Sequence, residues 1–486
     1  MSKSFLLALL LCVLGGGLDQ ATATDFSNVG LGITETGAVI NAIAAGPSAG
    51  QLYVGGHFTL VNGTGADSIT ANNIAMWDGT EWHALGSGIN GTVTSICVIG
   101  RLVYVGGTFT QTASNPAVAV NNVAIWNSLP SQWFALGSGG PVGGGVNGPV
   151  TSLNAASVSG TTQLIVGGTF TIVNGSSNGF SPAGSNGNLA IYNPAGTPSA
   201  TFLPFQTGTN NSVLCGSVRN NTVANGGTFT TAGPNAQVGV ATSLGGNFVA
   251  TTNFGSTPVD AISYDTAGDL YVGGTFAPAI GNGNSTSISC LLSGAGSYTG
   301  LAGGVTITTP TAGIGTVNAI LFDVLNTSEP IIGGRFDIAG GVPAENLVQW
   351  NPSAGTFVTY IGGTDGTVNA LGEDSFHSIY VGGSFDSATS TAGSILSALV
   401  RVGPNQDTGG SASSTATATA TGTTTTATGA SASASATGTA TTGTATAATT
   451  GNVAVPASGG SSGCGLGSSM GVMLILAMLL AWKRLR

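Results

Sequence analysis

The chain is 486 residues long, 81 of them glycine, and carries a net charge of −10 with only 5% of its residues charged. Globular proteins hold about a quarter of their residues as Asp, Glu, Lys or Arg, so the polar surface here must come from Thr, Ser and Asn, or from attached sugars. Nucleic acid is excluded as a partner: it is held chiefly by Lys and Arg on phosphates, and between residues 24 and 407 Arg101, Arg219, Arg335 and Arg401 are the only such side chains.

In chain order, residues 1–23 read as a signal peptide. Lys3 gives the positive start, residues 5–14 the apolar stretch, and Ala21-Thr22-Ala23 the cleavage site. An apolar run of about ten residues is too short to span a bilayer. Among the cysteines, Cys97, Cys215 and Cys290 lie between this leader and the C-terminal segment, an odd number without close spacing. They are expected as small buried hydrophobes rather than as ligands or disulfides.

A repeat then dominates residues 24–403. Gly-Gly-x-Phe occurs seven times, beginning at Gly55, Gly106, Gly167, Gly226, Gly273, Gly333 and Gly382, so successive copies are 51, 61, 59, 47, 60 and 49 residues apart. Such periods suit a four-stranded blade and are too long for leucine-rich or ankyrin units. The first copy supplies four short strands at residues 39–43, 52–54, 73–77 and 82–86, each β-branched or aromatic and bounded by turn residues. The second repeats them at residues 93–96, 102–105, 122–126 and 133–136. The middle copies are more degenerate, with Thr242 or Leu291 expected where the third strand elsewhere carries tryptophan. No convincing helical period appears between residues 25 and 403. The expected fold is all-β, a seven-bladed β-propeller.

Within the motif, the glycines are expected to permit close backbone approach and unusual dihedrals, and the phenylalanine to pack between adjacent blades. A phosphate-binding loop is disfavoured, because no helix or lysine follows and the motif recurs in every copy. The seventh copy has strands at residues 368–371, 379–381 and 395–400 but no fourth. The segment Phe26-Ser27-Asn28-Val29-Gly30-Leu31-Gly32 resembles residues 82–88, so the start of the mature chain is expected to complete the last blade and remove an open sheet edge.

The glycine pair after an apolar strand, with aromatics in the next two strands, resembles kelch-type repeats. The fuller pattern, Leu-Tyr-Val-Gly-Gly-x-Phe-Thr, Asn-Asn-Ile-Ala-x-Trp and Trp-x-Ala-Leu-Gly-Ser-Gly, is similar to the repeats of fungal cortical-marker proteins of cell polarity and bud-site selection. That resemblance is strongest over residues 39–140 and implies a glycosylated propeller ectodomain on a type I membrane protein. Kelch-type rings also occur in galactose oxidase, whose tyrosine, histidine and cysteine copper set has no match here.

Beyond the repeats, residues 404–462 are rich in Thr, Ala, Ser and Gly and read as a disordered stalk, a substrate for O-glycosylation or a flexible linker. Residues 463–482 are uncharged and precede the basic tail 483–486. They fit a transmembrane helix with Trp482 at the interface, or a lipid-anchor signal with small residues at Ser458-Gly459-Gly460. Either anchor places the propeller outside the cell, at the plasma membrane. N-glycosylation sequons stand at Asn62, Asn90, Asn174, Asn210, Asn220, Asn284 and Asn326, in predicted turns.

Convergent chemistry is not expected. His57, His83 and His377 occupy different strand positions, and Glu373-Asp374 reads as a solvated turn. No catalytic residue, cofactor or metal site is therefore predicted. His57 and Arg335 share the variable position of their motifs and are expected on one ring of equivalent sites near a channel mouth, facing a ligand. The function expected is a non-enzymatic cell-surface binding or scaffold protein with protein or polysaccharide partners, active in polarity, adhesion or wall association. The alternative is a carbohydrate-active extracellular enzyme with its site at the channel mouth.

Overall fold

The computed structural model describes residues 25–402 except 114–115, 138–143, 159, 174–186, 195–201, 206–207, 245–246, 250–252, 257, 278–284, 310–311 and 391–392. The signal peptide, stalk and C-terminal hydrophobic segment expected from the sequence lie outside the described residues. Among those described every regular element is a strand, and no helix is long and apolar enough to cross a membrane.

Each Gly-Gly-x-Phe motif ends the second strand of one four-stranded antiparallel sheet. In sheet 1 the strands are Val39–Ala45, Leu52–His57, Ile74–Trp77 and Trp82–Ala84, paired in that order. Sheets 2 to 6 repeat the meander from first strands Thr92–Ile99, Val150–Val158, Val213–Arg219, Val259–Tyr264 and Thr316–Asp323. Sheet 7 contains Thr367–Glu373, Ile379–Ser384, Leu399–Val402 and, as its fourth strand, Phe26–Asn28 from the start of the chain. Phe26 faces Val402 and Asn28 faces Val400, so the N-terminal segment completes sheet 7 as its resemblance to residues 82–88 predicts. The third strand of this sheet begins later than expected, at Leu399. The apolar residues before it instead form a hairpin, Gly393–Leu396 on Ser387–Ser390.

First strands of consecutive sheets pack side by side, and the first strand of sheet 7 packs against that of sheet 1. The core is correspondingly divided into seven apolar wedges, each shared by two neighbouring sheets. Phe109 lies in the wedge of sheets 1 and 2, Phe170 in that of 2 and 3, and Phe58 in that of 7 and 1. Phe229, Phe276, Phe336 and Phe385 fill the other four. Burying such a ring contributes about 1.5–3 kcal/mol, so one motif residue per sheet anchors one interface.

The two glycines do different things. A methyl group on Gly167 would stand 2.7 Å from Val213 Cγ1 of the next sheet, and one on Gly382 would stand 2.6 Å from Ile40 Cγ2 of sheet 1. Gly106, Gly226 and Gly333 meet Val150, Val259 and Val368 in the same way. The second glycine instead faces a carbonyl of its own first strand, Thr92 for Gly107 and Thr367 for Gly383. None of these glycines has a positive φ. Space, not unusual dihedrals, is what they supply.

The left-handed conformation falls elsewhere, on the residue before the third strand: Asn73, Asn122, Asn188, Gly239, Ser287 and Asn346 have φ between 60° and 77°. Each accepts a hydrogen bond through its carbonyl from the second glycine of its motif. The Asn346 side chain also accepts from Phe336 N–H and donates to Thr364 C=O. Asparagine tolerates this geometry better than most residues.

Register corrects one expectation. In sheet 1 Leu52 faces Trp77, and in sheet 4 the equivalent Val223 faces Ser243. Ser243, not Thr242, therefore takes the tryptophan position; Leu291 keeps it in sheet 5, facing Leu270. The lost third-strand ring is offset by a buried aromatic in or beside every fourth strand: Trp82, Trp133, Phe202, Phe248, Tyr298, Phe357 and Phe26. The three central cysteines are buried among apolar side chains, as expected.

Candidate functional site

Every first strand carries a β-bulge opposite its glycine pair. In sheet 1 Ile40 faces Gly56 and Ala42 faces Gly55, leaving Asn41 as the extra residue. The same shift leaves Thr94, Thr151, Leu214, Asp260, Asn318 and Asn369 in sheets 2 to 7. All seven are half-buried. A bulge re-aims a side chain out of the ordinary alternation, and most of these turn toward the next sheet. Asn41 Nδ2 donates to Val93 C=O at 3.3 Å, and the Thr94 and Thr151 hydroxyls donate to Val150 and Val213 C=O. Asn318 Nδ2 donates to Val368 C=O at 3.2 Å, and Asn369 Nδ2 donates to Asn41 Oδ1 at 3.4 Å, joining sheet 7 to sheet 1. In sheet 4 the neighbouring Cys215 Sγ reaches Val259 C=O instead.

Asp260 is the ionisable member of this girdle. Desolvation pushes its carboxyl up to about 6, although a hydrogen bond from the Thr275 backbone works the other way. It is poised near neutrality at the end of the sheets where the glycine pairs lie.

The variable motif residues stand beside the girdle. His57 faces Val39 and Arg335 faces Thr316 in register, both exposed. They thus take equivalent places at the same end of sheets 1 and 6, with sheet 7 between. No hydrogen bond or ion pair joins them among the described residues. The other sheets place Thr108, Thr169, Thr228, Thr275 and Ser384 there. Neighbouring hydroxyls link across sheets: Thr169 with Ser212 at 2.8 Å and Thr275 with Thr316 at 2.9 Å. Near His57, desolvation opposes ionisation of Glu35, but hydrogen bonds from Thr59 and Leu60 hold its carboxyl below the usual range. The surface is one of hydroxyls and amides with isolated charges, suited to hydrogen bonding.

The three histidines do not meet. His83 sits in the outer hairpin of sheet 1, 2.7 Å from Asp78. His377 lies at the opposite end of sheet 7 from Ser384, its Nδ1 2.6 Å from Glu373 Oε1. Glu373-Asp374 is not the solvated turn expected. The Glu373 side chain is only 5% exposed, and Asp374 is buried, accepting from Tyr380 OH at 2.9 Å and from Phe376 and Ser378 N–H. Desolvation pushes the Glu373 carboxyl up, helped by Asp323 nearby and opposed by His377.

The sequons separate by environment. The Asn90 side chain accepts from Thr110 and Gln111 N–H and donates to Thr110 Oγ1. Asn210 does the same with Thr230 and Thr231. Asn147, outside any sequon, makes the same clamp on Thr171 and Ile172. At these places asparagine ties the segment before a first strand to the segment after the motif phenylalanine. Asn62 accepts from Leu31 N–H and donates to Asp67 C=O, and Asn326 donates to Glu329. Asn220, exposed at the turn between Arg219 and Thr222, is the described sequon whose amide makes no such contact. Asn174 and Asn284 lie outside the described residues.

No protein-family model matches this chain. Among curated proteins it is similar to the "Polarized growth protein rax2" of Schizosaccharomyces pombe, with 31% identity over 105 residues. The matched part is 21% of this chain and 8% of that protein, so the chain spans a small fraction of its relative's length.

Proposed function

We propose that the chain is a non-enzymatic cell-surface protein of polarised growth, with its seven sheets arranged as one closed seven-bladed β-propeller of kelch-like repeats. The observation that carries the polarity reading is the similarity to a polarised growth protein. The closed ring is supported by the cyclic order of first-strand contacts and by the N-terminal strand in sheet 7. An outward-facing, membrane-tethered ectodomain is supported by the leader-like residues 1–23 and the uncharged residues 463–482. On such a protein the end carrying His57 and Arg335 presents mostly neutral hydroxyls and amides, which match a hydroxyl-rich wall polysaccharide or a polar protein surface. Asn220 is the best-placed described glycan acceptor.

A fluorescent fusion of the full chain, expressed in its own organism, tests this. The fusion is expected to concentrate at sites of polarised growth and to be cleaved by protease added to intact cells. Uniform intracellular fluorescence, protected from the protease, overturns the reading.

A further inference from the structure

We infer that Asp323, Glu373 and His377 form a divalent-cation site, best matched to Zn²⁺, between the hairpins of sheets 6 and 7. Asp323 ends the first strand of sheet 6, Glu373 ends that of sheet 7, and His377 lies in the turn that follows. Each offers one ligand atom, and all three atoms lie within 4.8 Å of one another. Two elements distant in sequence thus bring an imidazole and two carboxylates to one point, far from the girdle and the variable motif residues.

The carboxylates are held by backbone donors. Asp323 Oδ1 accepts from Leu325 N–H at 2.8 Å, and Glu373 Oε2 accepts from Val324 N–H at 3.1 Å. Those bonds orient the groups as outer-shell partners orient metal ligands. Asp323 keeps one oxygen for a further partner, while Glu373 Oε1 pairs with His377 Nδ1, a contact a bound cation would replace; the Glu373 side chain is nearly sealed from water. Among the described residues no lysine or arginine ion-pairs with either carboxylate. A carboxylate drawn out of water beside a half-buried second one favours a cation, and the one imidazole present pairs with Glu373 alone. Imidazole nitrogen and carboxylate oxygen are ordinary zinc ligands with bonds of about 2.0–2.2 Å. Three protein ligands leave a fourth position for water or an external oxygen donor.

The other such group, Asp78, Glu81 and His83, differs. It sits within one hairpin, Glu81 is exposed, and Asp78 Oδ1 is already engaged by Thr80 N–H, Thr80 Oγ1 and Glu81 N–H. It is a turn satisfied by itself and serves as the internal control.

The test uses the full-length protein in detergent, without a histidine tag, stripped by chelator and titrated with ZnCl₂ and, separately, CoCl₂. One equivalent of Zn²⁺ is expected to bind saturably, and Co²⁺ to give the intense visible absorption of a four-coordinate site. His377→Ala and Asp323→Asn are each expected to weaken Zn²⁺ binding by at least about tenfold, and His83→Ala to leave it unchanged. Absence of saturable binding to wild type, equal binding by His377→Ala, or loss only in His83→Ala overturns the site. Should a variant misfold, the wild-type cobalt spectrum decides: no four-coordinate absorption overturns the proposal. None of these outcomes bears on the polarity reading, which the localisation experiment tests separately.

Discussion

An alanine at Gly106 places a methyl group 2.5 Å from Val150 Cγ1 of the neighbouring sheet. Gly106→Ala is therefore expected to cost about 1–3 kcal/mol by overpacking, read as a lower urea midpoint with an unchanged slope. Adding Val150→Ala should recover part of that loss, because the clash is with a side chain. Gly107→Ala should not be rescued by any side-chain truncation, since its methyl meets the Thr92 carbonyl. Equal rescue of both would deny the division of roles. Asp260 gives a pH signature. Its folded carboxyl titrates near 6, above the ordinary aspartate value of 3.8, so between those pH values the folded state binds more protons than the unfolded. Its contribution to stability is then fully present below pH 3.8 and lost as pH rises through 6. Asp260→Asn should gain stability relative to wild type as pH rises from about 4 to 7, with no further divergence below 4. Parallel stability curves for the two proteins would show that Asp260 is not desolvated.

Within one sheet, the turn before the third strand and the fourth strand itself decide completion. Asn122 has a φ of 60° and donates from Nδ2 to Val146 C=O, which leads into sheet 3. Asn122→Ala should cost about 1–3 kcal/mol, through backbone strain and an unpaired carbonyl. Asn122→Gly should cost less, as Gly239 already fills the equivalent place in sheet 4. Phe26, 4% exposed, supplies the aromatic of sheet 7 from the opposite end of the chain. Phe26→Ala should cost about 3–5 kcal/mol and lower amide protection across residues 399–402. A loss below about 0.5 kcal/mol, typical of surface changes, would mean that the N-terminal strand only decorates an already stable sheet.

Across the whole molecule, the first and last described residues are neighbours, because Phe26 and Val402 are register partners. A permutant joining residue 402 to residue 25 by a short linker, with new ends at the exposed Gly100-Arg101 turn, should fold to the same strand content. Its melting should remain one transition in calorimetry, since every described sheet shares an apolar wedge with the next. Two separated transitions would mean that the sheets do not behave as one cooperative body.

The all-β class, the seven repeats and the orphan N-terminal strand were legible in the sequence, because glycine, phenylalanine and alternating apolar residues recur at fixed offsets that only local geometry imposes. The exact partner of each glycine was not, since close approach involves a residue of the next sheet, from Val259 for Gly226 to Val213 for Gly167, and for Gly382 a residue near the other end of the chain, Ile40. The bulge residues were likewise hidden: Asn41, Thr94 and Asp260 share a position but not a chemistry, and only register reveals the position. Degeneracy concealed the fourth-strand aromatics of the middle sheets, where Trp, Phe and Tyr exchange freely because burial rewards the ring rather than its identity. Glu373-Asp374 looked like a solvated turn because the sequence shows only two adjacent carboxylates. Asp323, fifty residues earlier, reaches Glu373 and His377 only through the packing of sheet 6 on sheet 7, and it is that packing which turns a hairpin into a candidate site.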